Sequence, residues 1–129
     1  MKKCIQTEKA PKAIGPYSQA VQFGSFLFIS GQIPIDPFTG LYNPSSIEEE
    51  TEIVMKNMGA ILESAGLAYD DVVKTTIYIV NMNDFASIDE VYGKYFSNQP
   101  PARACIEVKR LPKNCKVEID AIAAFPYCK

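Results

Sequence analysis

The sequence predicts an α+β layer fold, and three observations carry the prediction. Two late segments alternate with the period of a strand that has one buried face, and two earlier segments carry apolar residues at helical spacing. The order along the chain is strands, helix, strand, helix, two strands. Helices placed in that order pack on one face of a mixed sheet. At 129 residues the chain is expected to form one domain over 1–129, burying roughly two thirds of its unfolded surface.

Taken in order, Cys4 to Thr7 reads as a short opening strand. Ala10 to Tyr17 holds two prolines and a glycine and forms a stiff loop ending at Tyr17. Ser18 to Phe23 and Phe26 to Ser30 read as strands around Gly24-Ser25, a two-residue turn with glycine first. Gly31 follows, where the missing side chain permits close approach of another group. Asp36 to Gly40 is a turn-rich loop.

Ser46 and Glu49 have the spacing of a capping box. Ile53, Val54, Met58, Ile61, Leu62 and Ala65 then follow helical spacing, with Gly66 suited to the C-terminal cap. Glu48, Glu49, Glu50 and Glu52 suit the positive end of the helix dipole and read as a solvated run. Asp71 to Val80 is β-branched and reads as a strand. Asn83 is placed to cap a second helix whose apolar side holds Phe85, Ile88, Val91, Tyr92, Tyr95 and Phe96.

The two closing strands are expected to pair with each other across the turn residues Pro112 and Asn114. In the first, Ala104, Ile106 and Val108 are assigned to the core, leaving Arg103, Cys105 and Glu107 on the other face. In the second, Val117, Ile119, Ala121, Ala123 and Phe125 face the core, leaving Lys116, Glu118, Asp120 and Ile122 opposite. Two helices cover only one face of a sheet. Phe26, Phe28, Tyr78 and Ile122 sit on the other, so a partner subunit is expected to cover it.

Composition excludes several chemistries. The net charge of −2 comes with scattered basic residues, so no cationic footprint for nucleic acid is visible. There is no histidine, which removes Ser-His-Asp and Cys-His catalysis and every histidine-ligated metal centre. Cys4, Cys105, Cys115 and Cys128 lack paired spacing and read as free thiols of a reducing compartment. With no apolar run of membrane-spanning length and no signal-like N-terminus, a cytoplasmic protein is the expectation. Ionisable residues on a strand face, such as Arg103 and Glu118, are on pattern alone ordinary surface charges.

Several stretches together carry more than that. Ala10-Pro11-Lys12-Ala13-Ile14-Gly15-Pro16-Tyr17-Ser18-Gln19-Ala20, Ser30-Gly31-Gln32-Ile33-Pro34, Asn81 to Phe85 with Glu90-Val91-Tyr92, Pro101-Ala102-Arg103, and Val117 to Ala123 occur in that order. The chain resembles the YjgF/RidA family, the reactive-intermediate (enamine/imine) deaminases, from about Thr7 to Ala123. The resemblance implies a chorismate-mutase-like fold and a homotrimer with pockets at subunit boundaries. It implies hydrolysis of small 2-imino acids to 2-keto acids and ammonia. Arg103 matches the arginine that grips the substrate carboxylate, and Glu118 the acid that positions a water. Tyr17, Ser30, Gly31, Asp89 and Cys105 match pocket positions, Cys105 through its backbone amide. No metal or organic cofactor is implied, because a protonated imine is already electrophilic. Asp89 departs from a common asparagine and Asp120 from a common glutamate. Relatives described as translation inhibitors or ribonucleases leave an RNA-acting protein as the alternative, and a chaperone-like trimer that merely retains the pocket as a third reading.

Overall fold

The computed structural model describes residues 1–126; Cys128 lies outside the described residues. The strands are β1 (Lys3–Ile5), β2 (Ala20–Phe23), β3 (Phe26–Gln32), β4 (Val72–Ile79), β5 (Ala102–Glu107) and β6 (Val117–Ala124). They form one sheet of order β1-β2-β3-β6-β4-β5. Every neighbouring pair is antiparallel except β4 and β5. The helices α1 (Ile47–Ser64) and α2 (Phe85–Tyr95) pack on one face, which makes the α+β fold expected from the element order. The core lies between them, with Leu27, Ile29, Ile77, Ile79, Val117 and Ile119 from the sheet meeting Val54, Met55, Met58, Ile61 and Leu62 from α1.

Local chemistry explains the boundaries. Gly24 holds φ +61° at the first position of the β2–β3 turn, and Phe23 pairs with Phe26 across it. Ser46 caps α1 by accepting from Glu49 N at 3.0 Å, and Gly66 ends it in the left-handed region. Before α2 the cap falls elsewhere than expected. A 3-10 turn at Met82–Asp84 precedes the helix, and Asn81 rather than Asn83 supplies the capping oxygen, accepting from Asn83 N at 2.9 Å. The acidic run is also only partly solvated. Glu50 is buried, taking hydrogen bonds from Tyr42 Oη at 2.7 Å and Lys116 N at 2.8 Å, while Glu52 accepts from Tyr95 Oη. Buried carboxylates require such donors, and they come from outside α1: Tyr42 from the loop before it, Lys116 and Tyr95 from far along the chain.

Two expectations about the closing strands are overturned. β5 and β6 are not paired: β4 lies between them, parallel to β5 and antiparallel to β6. The cause is the crossover through α2, because a strand–helix–strand unit returns its second strand parallel beside the first. The faces of β5 are inverted as well. Arg103 stands opposite Thr75 and Cys105 opposite Ile77, both fully buried under the helices. Arg103, Cys105 and Glu107 therefore turn toward α2, and Glu107 Oε1 accepts from Met82 N at 2.8 Å. Ala104 and Ile106 turn to the uncovered face, where Ile106 is 46% exposed. A one-residue shift of phase exchanges the two faces of a strand, and the small apolar residues of β5 do not distinguish them.

The uncovered face carries an exposed apolar patch, as expected. Phe23, Phe26 and Phe28 are all exposed there, and Phe28 stands opposite Ile122. β3 carries a bulge: Ile29 pairs with Ala121 and Gln32 with Ile119, so Ser30 and Gly31 together oppose Asp120.

Candidate active site

The sequence-predicted residues fall into two groups on opposite faces of the sheet. The first is built around the β3 bulge. It presses Gly31 against Glu118 on β6 so closely that a Cβ at Gly31 would run into the Glu118 carboxylate. Ser30 Oγ donates to Ser18 O at 2.6 Å and Ser30 N to Gln19 O at 3.0 Å, fixing the bulge to the preceding loop. Tyr17 and Gly31 line one cavity of about 340 Å³, with Ile14, Gln32 and Lys113. Tyr17 is 54% exposed and its ring borders that space.

Gln19 holds this group together, a role sequence reasoning missed. Its buried side chain accepts from Thr7 N at 2.8 Å and donates to Thr7 O, Ala10 O and Pro11 O. One amide thus satisfies four backbone groups of a loop that has no ladder of its own. Its place in the Tyr17-Ser18-Gln19-Ala20 stretch was the available signal. Lys113 was missed too. It sits in the left-handed region at φ 60°, in the 3-10 turn Pro112–Asn114 that joins β5 to β6.

Burial raises the Glu118 carboxyl above the ordinary carboxylate range, and the nearby Asp120 charge pushes it further the same way. Asp120 is anchored by Tyr78 Oη, which donates to Oδ2 at 3.1 Å. A carboxyl with that shift exchanges protons more readily near neutral pH than a free one.

The second group sits between β5 and α2. The Arg103 guanidinium carbon lies 5.3 Å from the Phe85 ring centroid and 5.0 Å from that of Tyr92. Both are cation–π distances. Tyr92 is itself fixed, sharing a 2.7 Å hydrogen bond with the buried Thr75 hydroxyl. Arg103 Nη1 donates to Asp89 Oδ1 at 2.5 Å, the one salt bridge among the described residues. The guanidinium is therefore oriented before any ligand arrives. Cys105 lies beside it, half-buried against the core. Burial raises its thiol, and the lowering by Arg103 does not reverse that. A thiol held protonated is a weak nucleophile.

Within one chain, then, Tyr17, Ser30, Gly31 and Glu118 come together, and Asp89, Arg103 and Cys105 come together. The two groups do not meet. Cys4, Cys105 and Cys115 are free thiols, and burial raises the Cys115 thiol to about 12. Among the described residues no cluster of three or more His, Cys, Asp or Glu side chains is arranged to hold a metal ion. No helix among them is long and apolar enough to cross a membrane.

Residues 7–125 match the family model described as Endoribonuclease L-PSP. That match covers nearly the whole chain. The chain belongs to the YjgF/RidA family. Among its YjgF/RidA relatives, a RutC family protein of Pyrococcus horikoshii is 55% identical over 95% of this chain and 98% of its own length. The mouse 2-iminobutanoate/2-iminopropanoate deaminase is 48% identical over 95% of this chain and 91% of its own length. Among solved structures, Escherichia coli TdcF with bound serine superposes with a TM-score of 0.92 at 45% identity, covering 96% of this chain and 99% of that one.

Proposed function

We propose that this protein hydrolyses small 2-imino acids, such as 2-iminobutanoate and 2-iminopropanoate, to 2-keto acids and ammonia, at sites formed between chains of a homotrimer. The observation that carries this reading is the preset guanidinium of Arg103, which lies beside two aromatic rings and is bonded to one carboxylate. Its remaining donors suit a carboxylate, which guanidinium grips through parallel hydrogen bonds. That grip fixes the neighbouring imine carbon, an orientation effect. The relatedness to a mouse protein named for this activity supports the same substrate class.

Glu118 would hold a water over the imine carbon and take its proton as the oxygen adds. The proton then passes to the nitrogen, the carbon–nitrogen bond breaks and ammonia leaves, while the hydroxyl of the intermediate gives its proton back to the Glu118 carboxylate as the carbonyl forms. General acid–base help of this kind is worth on the order of 10² to 10⁴-fold. Arg103 and Glu118 lie on opposite faces of the same sheet, so one substrate reaches both only if they come from different chains. A ring of chains in which the β5–α2 edge of one meets the uncovered face of the next supplies this, and also covers Phe23, Phe26 and Phe28.

The description of the matching family model favours RNA cleavage as a second reading. A chain without histidine lacks the residue that most often supplies acid–base catalysis. The discriminating assay couples a threonine dehydratase to this protein and follows loss of the imine, with a parallel incubation on single-stranded RNA. Imine loss should accelerate, and Arg103→Ala should abolish the acceleration. Arg103→Lys keeps the charge without the planar fork and should lose at least about tenfold, given about 1.5–3 kcal/mol per charged hydrogen bond. No acceleration by the wild-type protein, together with RNA cleavage, would reverse the two readings.

A further inference from the structure

The Asp89 carboxylate raises a question that the deaminase reading leaves open, because it occupies the very group assigned to bind substrate. Its Oδ1 accepts from Arg103 Nη1, and no second cation stands beside the pair among the salt bridges of the described residues. The anchor is therefore a neutral Arg–Asp couple rather than a lone positive charge. A lone guanidinium attracts any carboxylate. A neutral couple attracts a plain carboxylate more weakly, and favours a ligand that also brings a positive charge to the acid.

We infer that Asp89 is a specificity-determining residue that selects zwitterionic ligands, those with a cationic nitrogen on the carbon next to the carboxylate, over plain 2-keto acids. The inference rests on the deaminase reading and names the charge state of its substrate. A protonated 2-imino acid has this form: its carboxylate faces the free edge of the Arg103 guanidinium, and its nitrogen faces Asp89. The 2-keto acid product has lost that nitrogen and meets Asp89 with a carboxylate alone. The same pair that holds substrate therefore disfavours product, which assists release. Phe85 and Tyr92 lie 5.3 and 5.0 Å from the guanidinium carbon and Asp89 already holds Nη1, so the carboxylate of Asp89 and that of the ligand must share the donors of one cation. Sharing places the two acids close enough for like-charge repulsion unless a cation intervenes.

Asp89 and Arg103 are both partly exposed, at 45% and 28% of their side chains, which moderates the effect through solvent screening. A change of about three- to tenfold in relative affinity is the expected size. The test is calorimetric titration of the wild-type protein, Asp89→Asn and Arg103→Ala with two stable probes, L-2-aminobutanoate as the zwitterion and 2-oxobutanoate as the anion. Asparagine keeps the shape and one acceptor while removing the charge. The wild-type protein should prefer the zwitterion, and Asp89→Asn should shift the ratio of dissociation constants about three- to tenfold toward the keto acid. A ratio unchanged in Asp89→Asn, with both probes still lost in Arg103→Ala, would overturn the role of Asp89 and leave the deaminase site standing. Binding that survives in Arg103→Ala would overturn both. A general loss of affinity through misfolding would raise both dissociation constants together, whereas the inference is read from their ratio.

Discussion

If Glu118 has the role proposed for it, function and stability pull apart at this single residue. Its carboxyl titrates above the ordinary carboxylate range because it is half-buried and next to Asp120. A folded-state pKa above the unfolded value means that folding disfavours ionisation. The penalty is absent below the unfolded value, grows as pH rises through the window between the two, and is complete above the folded value. At pH 7, above the unfolded value, Glu118 therefore costs stability. Glu118→Gln is expected to melt no lower than the wild-type protein at pH 7 while losing imine hydrolysis, whereas near pH 3 the two should melt alike. A clear drop in melting temperature at pH 7 would show that Glu118 stabilises the fold rather than serving chemistry. Asp120→Asn removes the neighbouring charge and should move the acid limb of the rate profile to lower pH.

At the scale of elements, the bulge in β3 decides where that acid sits. Ser30 and Gly31 oppose the single residue Asp120, and the extra residue brings the Gly31 backbone against the Glu118 carboxylate. Gly31→Ala would place a methyl group where the carboxylate lies. The clashing atoms are the end of a flexible side chain, so Glu118 can swing away and the fold should survive with a small loss of melting temperature. The water-holding geometry should not survive. A displacement of about 1 Å at a reacting group can cost on the order of 10²-fold in rate, and turnover measured beside thermal melting separates the two effects. If Gly31→Ala turns over imine at the wild-type rate, the close approach has no catalytic meaning. How legible these elements were in sequence depends on their contrast. β6 alternates Val117, Ile119, Ala121 and Ala123 with Glu118 and Asp120, and its faces were readable. β5 sets Ala104 and Ile106 against Arg103 and Cys105, and there the phase came out reversed. On the helix side the guanidinium of Arg103 meets Phe85, Tyr92 and Asp89, contacts that no periodicity encodes. Pairing failed for a related reason: adjacency in sequence favoured a β5–β6 hairpin, while the parallel return through α2 put β4 between them. Glu50 was misread because its donors, Tyr42 and Lys116, approach from separate segments.

For the whole molecule, the proposed split of the site across the sheet makes a prediction that a single-chain site cannot imitate. Arg103 projects under α2 at the β5 edge, and Glu118 projects from the opposite face of β6. If chains close into a threefold ring with each boundary of the same kind, every site takes its arginine from one chain and its acid from the next. Arg103→Ala and Glu118→Gln homotrimers should then each be inactive, because every boundary lacks one partner. Mixed trimers are different. A boundary where a Glu118→Gln chain supplies Arg103 and an Arg103→Ala chain supplies Glu118 is intact. Random assembly from equal amounts makes roughly a quarter of the boundaries intact, since each of the two required neighbours occurs with a chance of about one half. Unfolding the two variants together, refolding them and assaying imine loss should thus restore about a quarter of wild-type activity, while simple mixing of folded trimers should restore little until subunits exchange. Light scattering on the same samples should give about three chains per particle. Activity that stays at the level of the parents in particles of the right mass would mean that Arg103 and Glu118 do not share a site across the boundary, and a monomeric particle would remove the boundary altogether.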